Sequence, residues 1–308
     1  MAGWIQGCTM GERHTPLALP HRAAQSGGGI GLALMVALVL LGPLLWPLDP
    51  AALDLMARNQ GPSLSHPLGT DQLGRDMLAA LIRGGRISLL VAGLAMAVAL
   101  CIGVAIGVMA ATLRWLDAPL MRLTDLFLAL PLLPLVLVIL MLWREALTAQ
   151  LGSQAGVTLL VVAVIGLTGW MQTARVVRAE VLSLRERDFI RAARALGVTP
   201  GQMIRRHILP NISGVIAVSA GLGMAHAILT ESALSFLGLG FPADFPSWGR
   251  LLYDGIGYME ITPWRVLGPG AAITLTVLAV SALGDALHRD SDPRRPRAMR
   301  GRKGRSRP

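Results

Sequence analysis

The chain has 308 residues, of which 53% are hydrophobic and only 15% are charged, and its mean hydropathy is +0.57. Soluble domains carry about 25% charged residues, so this composition excludes an ordinary soluble protein. The net charge of +10 does not indicate nucleic-acid binding, because the basic residues fall in one loop and one tail with little aromatic interleaving. The apolar runs are long enough to cross a bilayer, and the sequence predicts a multi-pass membrane protein.

Six apolar stretches are predicted to span the membrane, which makes the expected fold an all-α polytopic one with six transmembrane helices. Their approximate bounds are 28–48, 87–113, 123–143, 156–176, 212–236 and 266–286. An even number of crossings places both termini on one side. The loop 174–211 has a net charge of +5 and the tail 285–308 one of +6, whereas the opposite loops are close to neutral. The positive-inside rule therefore predicts that both termini are cytoplasmic.

A polar and basic stretch, Asp188–Pro210, lies between the fourth and fifth predicted spans. Gly197 stands where a left-handed residue would end a first helix. Thr199 can cap a second helix, because Pro200 suits the first helical position and a glutamine follows three residues after the cap. The proline at position 210 would close this second helix. The sequence therefore predicts a rigid pair of helices on the cytoplasmic surface, suited to docking a partner.

The largest predicted connection on the outer side, residues 49–86, contains one periodic stretch. Thr70 or Asp71 could cap a helix there, since apolar residues then recur every three to four positions. These positions are Leu73, Met77, Leu78, Leu81 and Ile82. The pattern favours an amphipathic helix lying at the outer membrane surface, and direct contact with a substrate is the alternative.

Helix-breaking and polar residues single out the third and fifth predicted spans as candidates for lining a pathway. Pro131 and Pro134 predict a kinked or broken third span, which is tolerated where neighbours or water satisfy the freed carbonyls. His226, Glu231 and Ser232 lie in the fifth span, and polar residues at this density indicate a helix that faces protein or water. The alternatives are a bent packing helix for the prolines, a structural hydrogen bond for the glutamate and a packed polar residue for the histidine.

Motifs for catalysis and nucleotide binding are absent from the chain. The single lysine is Lys303 in the tail, so there is no G-x-x-x-x-G-K-[ST] phosphate loop. No H-E-x-x-H, C-x-x-C or G-x-S-x-G pattern occurs. We therefore expect no enzyme activity and no bound cofactor, and energy for transport would come from a docked partner. A stand-alone secondary transporter using Glu231 as an ion site is the alternative, but no inverted repeat is visible.

The basic stretch resembles the EAA loop of ABC importer permeases, which docks on the cytoplasmic ATPase subunit. The resemblance assigns an ATPase-coupling loop over 185–210 to these residues: Arg191, Ala192, Ala193, Gly197, Ile204, Leu209 and Pro210. Arg191 stands where the motif has its acid. If that acid normally pairs with a base on the ATPase, Glu186 or Asp188 would have to supply the contact.

Three further stretches resemble the second, C-type permease of dipeptide, oligopeptide and nickel importers. They are HPLGTDQLGRD at 66–76, RISLLV at 86–91, and ESALSFLGLG at 231–240 with PSWG at 246–249. The resemblance implies the type I ABC importer transmembrane-domain fold. The implied parts are a cytoplasmic tail 1–27, a first transmembrane helix 28–48, an external segment 49–85, the transmembrane domain 86–286 and a basic cytoplasmic tail 287–308.

The same resemblance implies a location in the bacterial inner membrane and a set of partners. These are a B-type sister permease in a heterodimer, two ATPase subunits that hold ATP and Mg, and an external solute-binding protein. Peptides are the expected substrate, with nickel or a metal chelate as the alternative. The predicted spans hold no His/Cys cluster suited to a bare metal.

Overall fold

The computed structural model describes residues 21–242 and 245–291, so the predictions for 1–20 and 292–308 lie outside the described residues. Within the described ranges the regular elements are helices, and the one extended feature is an isolated bridge between Thr70 and Asp76. The helices are α1 (His21–Leu45), α2 (Met77–Thr112), α3 (Arg114–Ala129), α4 (Leu132–Leu151), α5 (Ser153–Thr168), α6 (Trp170–Arg185), α7 (Asp188–Ala195), α8 (Pro200–Gln202), α9 (Leu209–Asn211), α10 (Ser213–Phe236), α11 (Trp248–Ile256) and α12 (Trp264–Ser291). A 3-10 turn at Leu55–Ala57 and a π-helical turn at Met203–Ile208 complete the set.

Five helical segments of the described chain are long and apolar enough to cross a membrane. They are Met77–Thr112, Leu132–Leu151, Ser153–Arg185, Ser213–Phe236 and Trp264–Leu287. The third of these combines α5 and α6. The apolar part of α1, Gly29–Leu45, is shorter than the roughly 20 residues that a crossing needs. The count of six spans therefore stays a prediction.

The third predicted span, 123–143, is misplaced. Helix α3 ends at Ala129, and Pro131 directly precedes α4, so the membrane helix is Leu132–Leu151. The break follows from proline, which lacks an N–H and disfavours helical geometry in the residue before it. The segment 114–122, which lies between the second and third predicted spans, is the first part of helix α3.

Ion pairs hold α3 against α6. The Arg178 guanidinium donates from Nε to Asp117 Oδ1 at 2.5 Å and from Nη2 to Oδ2 at 2.7 Å, and Arg175 pairs with Asp125. The hydrogen bonds from Arg178 lower the pKa of Asp117 below its ordinary value. The stability that this pair adds is present above the ordinary aspartate pKa and is lost as pH falls through the lowered one.

Helix α2 is the centre of the bundle and contacts α1, α3, α5, α6, α10 and α11. It lies very close to α6 at Gly103 and Gly107. A Cβ on Gly103 would lie 2.7 Å from Thr173 Cβ, and one on Gly107 would lie 2.7 Å from the carbonyl oxygen of Ala174. Only glycine lets α6 pack this closely, as expected of a G-x-x-x-G pair.

The two ends of α2 organise different parts of the chain. Val108 and Ala111, near its C-terminus, pack in a hydrophobic cluster with residues of α6, α7 and the π-helical turn. Ser88, near its N-terminus, contacts α10 and α11. At 1.5 Å per residue, Ser88 and Val108 are about 30 Å apart along the helix, which is one hydrocarbon thickness.

Candidate functional site

The segment 185–210 has the predicted two-helix form. Helix α7 ends at Ala195, and Gly197 has a φ angle of +80°. Thr199 Oγ1 accepts from the N–H of Gln202, the glutamine side chain accepts from the N–H of Thr199, and Pro200 is at the first helical position. The predicted left-handed glycine and the capping box are both confirmed.

Pro210 does not close the second helix, so that prediction is wrong. The chain continues from α8 through the π-helical turn Met203–Ile208 into α9, which includes Pro210 and ends at Asn211. In a regular α-helix the proline ring clashes with the carbonyl four residues earlier. The wider π-helical turn just before Pro210 accommodates the ring without ending the helical path.

One face of the 185–210 segment is buried against α2 and α6. The buried side chains are Ile190, Ala193, Met203 and Ile208, and they pack with Val108, Ala111, Val177 and Val181. The Arg185 guanidinium donates to the carbonyl oxygen of Ala111, which ties the end of α6 to the end of α2. The segment thus packs on α2 and α6, which belong to the two longest apolar helical segments among the described residues.

The opposite face of this segment is exposed and combines apolar with basic side chains. Leu196 is 85% exposed and Phe189 is 45% exposed. Arg191, Ala192 and Gly197 are exposed beside them. Of the predicted coupling residues, therefore, Ala193 faces the bundle, whereas Arg191, Ala192 and Gly197 face outward. Exposed apolar side chains beside polar ones, when they form a patch, are typical of a surface that a partner covers.

At the other end of α2, Glu231 is 0% exposed and accepts hydrogen bonds from serines. Its Oε2 accepts from Ser88 Oγ of α2 at 3.0 Å and its Oε1 from Ser235 Oγ of α10 at 2.8 Å. Ser247 Oγ donates to Ser235 Oγ at 3.3 Å and caps α11 by accepting from the N–H of Arg250 at 3.2 Å. We call Ser88, Ser235 and Ser247 the serine cluster. It joins three helices through one buried carboxyl group, which supports a structural role for Glu231.

Trp248 fixes the start of α11 on α2. Its backbone N–H donates to Ser88 Oγ at 3.1 Å, and its indole Nε1 donates to the carbonyl oxygen of Leu81 at 2.9 Å. A Cβ on Gly85 would lie 2.8 Å from the indole ring. The glycine therefore provides the space that seats this tryptophan.

The five candidate pathway residues do not form one site. Glu231 and Ser232 are buried, whereas His226 is exposed on α10 in this single chain. Five residues of helix place His226 about 140° around α10 from Glu231. Pro131 and Pro134 are exposed at the break between α3 and α4. Whether any of the five contacts a substrate stays a prediction.

The stretch 66–76 is a loop and includes the predicted start of the amphipathic helix, so that start is wrong. The later apolar positions, Met77, Leu78, Leu81 and Ile82, are helical and lie in α2. Gly69 and Gly74 have φ angles of +71° and +77°, which cannot continue a right-handed helix. At Gly74 a Cβ would lie 1.6 Å from a backbone carbonyl oxygen, so only glycine fits. The predicted caps, Thr70 and Asp71, lie inside this loop.

Asp76 is the true cap of α2 and ties the loop to two other parts of the chain. Its Oδ1 accepts from the N–H of Ala79 at 2.7 Å and from Trp46 Nε1 at 3.1 Å. Its Oδ2 lies 2.8 Å from His66 Nδ1. Asp76 was not among the predicted caps, although an aspartate just before an apolar periodic run is a capping signal. Ser88 and Ser247 lie in two of the stretches that carry the family resemblance, 86–91 and 246–249, but neither was predicted as a site residue.

This helical arrangement is similar to that of a solved ABC transporter. A chain of the inward-facing MetNI methionine ABC transporter, in its native crystal form, has a TM-score of 0.56 and 20% identity; the match covers 70% of the present chain and 98% of that one. The SeMet soak crystal form gives a TM-score of 0.57 at 18% identity. At these identities the likeness shows the fold alone, which is that of a type I ABC importer permease.

Sequence comparison then defines the family. Residues 103–296 match the family described as binding-protein-dependent transport system inner membrane component. A peptide permease protein of Brucella suis biovar 1 is 42% identical over 279 residues, which cover 90% of the present chain and 88% of that protein. The dipeptide transport system permease protein DppC of Alkalihalophilus pseudofirmus is 38% identical over 269 residues, covering 86% and 85% respectively.

This chain therefore belongs to the family of binding-protein-dependent inner-membrane transport components. It is a multi-pass inner-membrane protein and an ABC import permease subunit.

Proposed function

We propose that this chain forms half of a pathway that carries peptides across the inner membrane. The proposed substrate class rests on a single observation. The chain is 42% identical to a protein named as a peptide permease, and the match covers 90% of this chain and 88% of that one. A second relative at 38% identity is named as a dipeptide transport permease. Within the described residues, no group of three or more His, Cys, Asp or Glu side chains is arranged to hold a metal ion.

The proposed orientation places the 185–210 segment in the cytoplasm and the serine cluster at the outer face. Support comes from the arginines of that segment and the positive-inside rule, and from the separation of about 30 Å along α2 between Ser88 and Val108. In this orientation six spans bring both termini to the cytoplasm, with α1 as the first span.

Energy would reach this chain through the exposed face of the 185–210 segment. The proposed partners are two cytoplasmic ATPase subunits, which would hold ATP and Mg, together with a B-type sister permease and an external solute-binding protein. The chain itself would be non-catalytic and would bind no cofactor. Closing of the ATPase subunits would move α7 and α8, and the cluster around Ile190 and Ile208 would transmit that motion to α2 and α6.

The test is uptake of a radiolabelled dipeptide into proteoliposomes that contain this chain, its sister permease, the ATPase subunits and the binding protein. We expect uptake that requires ATP and the binding protein. Omission of the ATPase subunits is the matched control and should abolish uptake even with a proton gradient. Uptake of nickel without dipeptide uptake, or uptake driven by the gradient alone, would contradict the proposal.

A further inference from the structure

A cavity of about 530 Å³ lies between the 66–76 loop, the start of α2, helix α11 and the start of α12. This volume is in the range of small-ligand sites. Four arginines and two aspartates are among its lining residues: Arg75, Arg83, Arg250, Arg265, Asp71 and Asp254. The side chains around the cavity therefore carry two more positive than negative charges.

Arg265 is the most unusual of the four arginines, because it is only 2% exposed. Its Nη2 donates to Gln72 Oε1 and lies 3.4 Å from the carbonyl oxygen of Asp254, and its guanidinium stacks 4.2 Å from the Tyr258 ring. These groups are neutral. Its Nε and Nη1 are buried without a hydrogen-bond partner among the described residues.

Arg75 has a similar deficit. Its Nε is also buried with no hydrogen-bond partner in the described part of the chain. Asp71, which also lines the cavity, already accepts from the backbone N–H groups of Leu73 at 2.7 Å and of Arg75 at 2.8 Å. The side chain of Arg75 is thus left with an unused donor at the cavity.

Two of the four arginines have a carboxylate partner. Arg250 Nη2 lies 2.9 Å from Asp254 Oδ1, and Arg83 Nη1 lies 3.8 Å from Asp49 Oδ1. Arg75 and Arg265 are left with one lining carboxylate, that of Asp71, so one positive charge is in excess. A buried guanidinium with unused donors is unfavourable unless an anion or another acceptor completes it.

We propose that this cavity is a carboxylate-binding site in which Arg75 and Arg265 hold the carboxylate. Guanidinium groups match carboxylates in both geometry and charge. This site proposal rests on the proposed function and its orientation, in which the cavity opens on the outer side. The carboxylate belongs either to a solute that reaches the permease or to an acidic side chain of the solute-binding protein.

The first arm of the test uses glutarate as the probe and its neutral diamide as the control. Each is titrated onto the assembled permease complex in lipid nanodiscs at constant ionic strength, and binding is followed by isothermal titration calorimetry. We expect glutarate to bind and the diamide not to bind. Arg75→Gln should weaken glutarate binding by about tenfold or more, as expected for the loss of a charge-assisted pair.

Arg58→Gln is the matched control variant. Arg58 lies on the same segment, is exposed and hydrogen bonds the backbone oxygen of Gln72 at 2.9 Å, but it does not line the cavity. The Arg58→Gln substitution removes one positive charge, as Arg75→Gln does, and should leave glutarate binding unchanged. Arg75→Gln is preferred to Arg265→Gln because Arg265 also supports the packing of Gln72 and Tyr258.

The second arm measures the affinity of the purified solute-binding protein for the same complexes. If the carboxylate belongs to the binding protein, Arg75→Gln weakens that affinity and Arg58→Gln does not. If it belongs to a solute, the affinity is unchanged and Arg75→Gln raises the KM for peptide uptake instead.

Three results would overturn the site: glutarate and its diamide binding equally, Arg75→Gln binding glutarate as well as the wild type does, or inorganic phosphate binding where glutarate does not. Any of these three results is compatible with ATP-dependent dipeptide uptake by the wild-type complex. Loss of that wild-type uptake would instead refute the proposed function.

Discussion

The 185–210 segment and the opposite end of the bundle obtain their shapes in different ways. The segment is shaped by neighbours in sequence, since Thr199 and Gln202 cap each other and Gly197 ends the preceding helix. The opposite end is held by distant partners: Ser88 and Glu231 are 143 residues apart, and Gln72 and Arg265 are 193 apart. A segment that is shaped by local contacts can move as a unit. The opposite end of the bundle, in contrast, holds together only if the whole bundle folds.

The largest effect should come from Gly74→Ala at the outer end. Gly74 has a φ of +77°, and a Cβ there would lie 1.6 Å from the carbonyl oxygen of Asp54. The backbone must move to accept the methyl group, and we expect a loss of about 3 kcal/mol or more in stability. Limited proteolysis of the 49–76 segment and the melting temperature of the purified complex would measure it.

Gly61→Ala is the control for this change. It lies in the same segment, has no left-handed φ, and a Cβ there would lie 3.7 Å from the Trp264 ring, which is ordinary contact. It should behave as the wild type. If Gly74→Ala were as stable and as protease-resistant as Gly61→Ala, the account of the outer loop would be wrong.

An intermediate effect is expected for Glu231→Ala. The substitution leaves Ser88 and Ser235 without their acceptor and opens a cavity between three helices, at a cost of about 2–4 kcal/mol. Glu231→Gln keeps the volume and one acceptor oxygen, so it should lose clearly less. Thermal unfolding of the complex would compare the two. If the alanine variant were as stable as the wild type, the serine cluster would not stabilise the packing of these helices.

The smallest effect should come from Gly197→Ala in the 185–210 segment. Its φ of +80° matches that of Gly74, but no atom lies within 4 Å of a Cβ built there. Only the left-handed backbone is penalised, by about 1–2 kcal/mol. Melting of the complex should therefore change much less than for Gly74→Ala. Equal losses for the two variants would show that backbone conformation, not packing, limits both regions.

The same comparison explains which features could be predicted from the sequence. The capping box at Thr199 and the glycine stop at 197 are local signals, and both are confirmed. Glu231 stands out in the sequence as an acidic residue inside a predicted span. Its partners Ser88 and Ser247 could not be predicted, because the stretches that contain them do not indicate that the fold brings them together. The positions of the last two spans followed from apolar length alone, and the structure places helices over both.

The predicted start and the predicted end of the third span are both wrong for one reason: the boundaries were predicted from apolar content alone. The third span was placed at 123–143 because that stretch is apolar, but proline at 131 sets the boundary. The predicted span ends just before the charged residue Arg144. Helix α4 continues to Leu151, and the Arg144 guanidinium donates to the carbonyl oxygen of Leu239 at 2.9 Å. Such a partner, 95 residues away, cannot be seen from the sequence.

The central claim, that the 185–210 segment transmits the action of the ATPase subunits, is tested most directly by Gly197→Val in the reconstituted complex. Valine cannot hold the φ of +80°, and a penalty of 1–2 kcal/mol or more on the active geometry corresponds to about tenfold. Asparagine tolerates this φ, so Gly197→Asn is the matched control. We predict that the valine variant assembles but loses about tenfold in ATP-driven peptide uptake, whereas the asparagine variant keeps most of it. Uptake and substrate-stimulated ATPase activity of the valine variant within about twofold of wild type would contradict the claim.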